Sequence, residues 1–141
     1  MNVTRIVSTA FVMSLFCAAS IVPAQAEDAV LQEALKDCER NQMTMNLCAG
    51  HRYTEADREL NRQYKRTMAA QSGEQSRKRL RDAQRAWITF RDKDCLAENG
   101  PREQSGSIWP LLQATCLTQH TERRTQDLAR QACGMEGCSK P

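Results

Sequence analysis

From Cys38 to Leu128 the chain reads Cys38, Met45-Asn46-Leu47-Cys48-Ala49, Ala56-Asp57-Arg58-Glu59-Leu60-Asn61, Tyr64, Ala83-Gln84-Arg85-Ala86-Trp87, Arg91-Asp92, Cys95, Ser105-Gly106-Ser107, Cys116, Thr121, Arg124 and Leu128. Apolar and aromatic positions in this stretch step by threes and fours. Met45, Ala49, Tyr53, Ala56, Leu60, Tyr64 and Thr67 make one helical series. Leu80, Ala83, Trp87 and Phe90 make a second, and Leu111, Ala114, Leu117, Thr121, Arg124 and Leu128 a third. No six-residue window alternates polar and apolar with β-branched enrichment, so strands are not expected.

The breaks between these series are equally plain. Ser72-Gly73 divides the first two, with Ser72 suited to cap a helix N-terminus. Glu98-Asn99-Gly100-Pro101 stops the second, and Pro110 suits the first turn of the third. These signals predict long helices over 44–70, 74–96 and 109–130, preceded by a shorter one from about Ala29 to Arg40. Gly50 could kink the first long helix, and Thr54 with Asp57 could form a capping box that starts a new one there. The expected fold class is all-α: a small antiparallel bundle of three long helices plus a short N-terminal one.

The first 26 residues read as a signal peptide. Arg5 gives a positive n-region, Ile6 to Val22 is apolar, and Ala24-Gln25-Ala26 is an A-x-A cleavage site. The apolar run is shorter than a comfortable membrane span, and Phe16 before Cys17 does not suit lipoprotein processing. Residues 27–141 then form one helical domain, with a core at 38–128 and a tail at 129–141. Its product would be periplasmic or secreted, without a membrane anchor. Basic and acidic residues interleave at a formal charge of +3, which is no nucleic-acid signature.

Aromatic residues are 5% of the chain, so the core is thin and needs covalent support. Cys38, Cys48, Cys95, Cys116, Cys133 and Cys138 supply an even count, which in a short exported chain reads as three disulfides with 15 possible pairings. The sequential pairing is favoured because each bridge closes a local loop. The alternative is a soft-metal loop at Cys133 and Cys138 around Met135. No second CxxC or histidine cluster completes it, so neither metal nor cofactor is expected.

Several polar residues fall on faces that should point inward. Asp57, Asn61 and Tyr64 share one face of the first long helix; Gln84, Trp87 and Arg91 share one of the second. Arg124 holds a place in the third series otherwise filled by Leu, Ala and Thr. Unpaired, such charges would be strongly unfavourable when buried, so Asp57 is expected to face Arg124 or Arg91 in a hydrogen-bonded network. The network reads either as a binding site or as a device that fixes helix register. Catalysis has little support. His51 and His120 stand far apart, and Asp57 with Glu55 or Glu59 has an i, i+2 spacing that points carboxylates to different faces.

Taken in order, these residues and spacings resemble the LprI-like lysozyme-inhibitor family over about ninety residues. The resemblance implies a helical scaffold, a protein partner such as lysozyme, and inhibition by occluding a peptidoglycan-cleaving enzyme rather than catalysis. An accessory envelope protein or an immunity-type partner of a secreted toxin would need the same rigid scaffold. A lysozyme cleft holds two carboxylates of unlike pKa, which a hydrogen-bonding, cationic loop can occupy. The longest exposed connection runs from Asn99 to Ile108, and its Arg102, Glu103, Ser105 and Ser107 are the candidate contact residues. A bridge between Cys95 and Cys116 would pin its base. The exposed face around Arg62, Lys65 and Arg66 is the second place a partner could engage.

Overall fold

The computed structural model describes residues 24–133, and these form five helices and no strand. Helix α1 spans Ala24–Ala34, α2 Gln42–Ala70, α3 Glu74–Asn99, α4 Arg102–Ser105 and α5 Trp109–Cys133, with a 3-10 turn at Gly106–Ile108 before α5. The expected all-helical, disulfide-stapled bundle is what the chain builds. The signal segment falls mostly outside the described residues, as does Cys138 with its expected bridge to Cys133. Helix α1 begins at Ala24, so cleavage after Ala26 would trim its first three residues.

Local chemistry sets the boundaries. Asn41 caps α2 by accepting from the Thr44 amide at 3.0 Å, while the Thr44 hydroxyl accepts from the Asn41 amide at 3.1 Å. This reciprocal pair starts α2 two residues before the expected point. It also ends α1 at Ala34 rather than near Arg40, because the chain must leave the helix to reach Asn41 and join Cys38 to Cys48. Helix α2 runs unbroken through Gly50, and the Thr54 hydroxyl donates back to the Gly50 carbonyl at 3.0 Å instead of capping a new helix. The residue at the N-cap of α3 is Gly73 with φ 79°, not Ser72. A left-handed backbone there favours glycine over a side-chain cap. Helix α3 ends at Gly100, φ 67°, whose amide donates to the Leu96 carbonyl at 2.9 Å.

Contacts along the chain fix the topology. Asn46 near the start of α2 reaches Ser107 just before α5, and Thr67 near its end reaches Leu128 late in α5, so α2 and α5 run parallel. Cys95 at the end of α3 joins Cys116 early in α5, and Gln84 meets Arg124, so α3 runs antiparallel to α5. The result is an up-down-up bundle.

Helices α2 and α5 pack closely along their length, whereas α3 leans on α5 and stands further from α2. Side-chain size explains the asymmetry. The α2–α5 seam is made of small residues, Ala49, Thr67, Ala114 and Thr121, all buried. Between α2 and α3 lie Tyr64, Gln84, Trp87 and Arg91, which hold the axes apart. The apolar core is correspondingly small: Leu60, Leu80 and Leu128, with Tyr64, Met68 and Trp87 packed against them.

One expected face is misphased. Ala83 and Phe90 are exposed, Phe90 at 55%, and Phe90 instead sets its ring edge against His120 at 5.7 Å. The face that α3 buries is Leu80, Gln84, Arg91 and Cys95, with Trp87 half-buried between. Two of those four are polar, so an apolar count drifts off the true stripe.

Candidate functional site

Arg91 is the centre of the polar interior. It is 7% exposed, and its guanidinium meets the Asp92 carboxylate at 2.8–2.9 Å. The guanidinium carbon lies 5.6 Å from the Tyr53 ring centroid on α2 and 5.1 Å from that of Trp87 on its own helix. Arg124 of α5 approaches Trp87 at 5.9 Å. Tyr53, Arg91, Trp87 and Arg124 thus form a ladder of alternating aromatic and cation across three helices, each contact favourable through the ring quadrupole. Burial raises the Tyr53 pKa, with Arg91 opposing the rise, so this hydroxyl stays neutral.

The expected pairing of Asp57 with Arg124 or Arg91 is not what the structure contains. Arg124 is half-buried, and its Nε donates to the Gln84 side-chain carbonyl at 2.9 Å. Burial lowers its pKa, with Asp127 only partly opposing. Asp57 is half-buried and accepts at 2.8 Å from Nδ2 of Asn61, which is exposed rather than part of a buried network. The reason is geometric. With α2 and α3 held apart by aromatic side chains, the α2 carboxylate stays on its own helix, and Arg91 takes the carboxylate of its sequence neighbour.

Four of the five expected network residues nevertheless line one cleft. It measures about 280 Å³ and opens between α2 and α3. Asp57, Leu60, Asn61 and Tyr64 form the α2 wall, and Arg81, Gln84, Arg85, Ile88 and Arg91 form the α3 wall. Arg124 stands behind this wall and fixes the Gln84 amide from the rear. Asp57, Asn61, Tyr64, Gln84, Trp87 and Arg91 all belong to the pattern that carries the family resemblance, so that pattern assembles in three dimensions at the cleft and its back wall.

The connection from Asn99 to Ile108 is more ordered than an open loop. Ser105 is half-buried and its hydroxyl donates to the Asn99 carbonyl at 2.9 Å. Trp109 Nε1 donates to the Gly100 carbonyl at 2.9 Å, and Asn46 Nδ2 of α2 donates to the Ser107 carbonyl at 2.9 Å. Arg102 lies over the Trp109 ring at 5.9 Å. The Cys95–Cys116 bridge closes the base, with an S–S distance of 2.07 Å. Arg102, Glu103 and Ser107 are exposed. Ser105 works inside the tip rather than on its surface. Ile108, 43% exposed at the end of the connection, is a contact candidate that sequence reasoning did not single out beside the polar residues.

An apolar groove that sequence reasoning also missed lies under this tip, about 490 Å³ in volume. Tyr53, Trp109, Pro110 and Leu117 line it, and Arg91 with Asp92 closes one end. The face around Arg62, Lys65 and Arg66 is less cationic than its sequence suggests, since Arg62 and Arg66 both pair with Glu59. Cys95, Cys116 and His120 gather within 4.8 Å, but the two sulfurs are bonded to each other, and His120 Nε2 meets Asp94 at 3.1 Å.

Comparison with known proteins gives one family. Residues 33–128 match the family described as Lysozyme inhibitor LprI. An uncharacterized protein of Rhizobium meliloti (strain 1021) is 34% identical over 111 residues, covering 69% of this chain and 79% of that protein. No solved structure matches the chain. The matched span runs from the end of α1 to the last buried leucine of α5, and therefore takes in the Cys38–Cys48 and Cys95–Cys116 bridges, the cleft and the ordered tip. This chain belongs to the LprI lysozyme-inhibitor family.

Proposed function

We propose that this protein is exported and acts by binding, occluding the cleft of a lysozyme-type, peptidoglycan-cleaving enzyme with the tip at residues 101–108. The family match over residues 33–128 carries the reading. The tip supports it physically. It is ordered by its own hydrogen bonds and closed at the base by a disulfide, so little conformational entropy is lost on docking. Arg102 and Ser107 offer donors to the carboxylates of a glycosidase cleft. Tyr53 and Trp109 in the groove below supply the aromatic surface that interface centres favour. The A-x-A motif at Ala24-Gln25-Ala26 supports export, and among the described residues no helix is long and apolar enough to cross a membrane.

The test is lysis of bacterial walls by lysozymes of several types, with and without the mature protein. Dose-dependent inhibition is expected, weakened about tenfold or more by combining Arg102→Ala, Glu103→Ala and Ile108→Ser. Absence of inhibition of every lysozyme at micromolar protein would refute this reading. Inhibition indifferent to the three substitutions would keep the function and move the contact surface elsewhere.

A further inference from the structure

The tip does not use the α2–α3 cleft. None of residues 101–108 lines that cleft, so it is a separate surface. Its chemistry is polarised. On the α3 wall the Gln84 carbonyl is taken by Arg124 Nε, which leaves the amide nitrogen as a donor. Arg91 is neutralised by Asp92 and Arg81 by Glu74. Arg85 lines the same wall and makes no close ion pair among the described residues; Asp82, one turn earlier, attracts it only at longer range, so it is the cation there most open to a ligand.

On the opposite wall Asp57 is the only acid. Asn61 Nδ2 holds one of its oxygens and leaves the Asn61 carbonyl as an acceptor. Cation and amide donor thus face carboxylate and acceptor across the cleft, with no ion pair joining Asp57 to Arg85. Between them the surface is apolar: Leu60 is 3% exposed at the floor, and Ile88 is 40% exposed at the edge. A ligand that satisfies all three parts carries an anion at one end, a cation at the other and a small apolar middle.

We propose that the α2–α3 cleft is a binding site for a short zwitterionic peptide, its carboxylate on Arg85 and the Gln84 amide and its ammonium on Asp57. The volume, near the lower limit of small-molecule sites, suits a dipeptide rather than a folded partner. The proposal stands independently of lysozyme inhibition.

The experiment is a heteronuclear NMR titration of the full mature protein with alanyl-alanine, N-acetyl-alanyl-alanine and alanyl-alanine amide. Alanyl-alanine should bind saturably with a Kd of about 1 mM or tighter, shifting the amide signals of residues 57–64 and 81–91. Arg85→Ala should weaken alanyl-alanine and the acetylated peptide about fivefold or more and leave the amide unchanged. Asp57→Asn should weaken alanyl-alanine and the amide to the same degree and leave the acetylated peptide unchanged. Both positions are at least partly exposed, and the Asp57 change is isosteric, so the fold is retained. No saturable binding of alanyl-alanine, shifts centred away from the cleft, or losses that ignore which end of the peptide is blocked would each overturn the proposal.

Discussion

Thr67 and Thr121 are both fully buried on the seam between α2 and α5, yet they bear opposite relations to their surroundings. The Thr67 hydroxyl lies 2.9 Å from the Leu128 carbonyl across the seam, whereas Thr121 Oγ1 has no hydrogen-bond partner among the described residues. The same isosteric change should therefore have opposite signs. Thr67→Val is expected to cost about 1–2 kcal/mol, and Thr121→Val to leave stability unchanged or raise it by about 1 kcal/mol, as read by urea unfolding. Arg124 offers a second test. Its acceptor is the neutral Gln84 carbonyl rather than a carboxylate, so Arg124→Met, which keeps the stem packing against Trp87, should cost less than about 1 kcal/mol. Gln84→Ala should cost more, about 2–3 kcal/mol, because it leaves a partly buried cation without its acceptor. The sequence marks Gln84, Arg91 and Arg124 as inward-facing, since helical spacing alone sets which residues share a face. It does not reveal their partners, because those lie on other helices at a separation that only packing sets.

At the level of elements, the disulfides act where the apolar core is thinnest. Cys38–Cys48 ties the capped start of α2 to the segment after α1, and Cys95–Cys116 ties the end of α3 to the start of α5. The second closes a separation of 21 residues, for which the loop-entropy estimate is about 3 kcal/mol. Cys95→Ala with Cys116→Ala should lower stability by roughly that amount in denaturant unfolding. It should also raise hydrogen exchange through residues 99–108 more than through the middle of α2, since the bridge holds the base of the tip. Helix existence was plain from the spacing of apolar residues and from the Gly and Pro breaks. The ends were less so: Asn41 starts α2 through a reciprocal pair with Thr44, a threonine where the familiar signature has Glu or Gln. The tip at 102–108 carries no apolar period of its own, and its short helix depends on Ser105, Trp109 and Asn46 binding backbone carbonyls.

Over the whole molecule, charge is arranged as local pairs on helix surfaces. Glu33, Glu59 and Glu74 lie below their ordinary value of 4.5, and Asp82 below 3.8, chiefly through hydrogen bonds from Lys36, Arg62, Arg81 and Lys78 respectively. A carboxyl depressed in the folded state contributes stability above its unfolded pKa and loses it as pH falls through the lower folded value. The melting temperature should thus hold steady at neutral pH and fall as acid is added below about pH 4.5, by a modest amount because these pairs are exposed. A melting temperature that rose on acidification would contradict this arrangement. What the sequence determined by itself was the all-helical class and the three long elements, because these follow from backbone periodicity and breaker residues close together in the chain. Tertiary structure decided which helices meet. Small side chains drew α2 onto α5, and bulky aromatic and cationic ones kept α3 away from α2. The cleft exists because of that difference in spacing, which depends on how side-chain volumes from distant segments fit together.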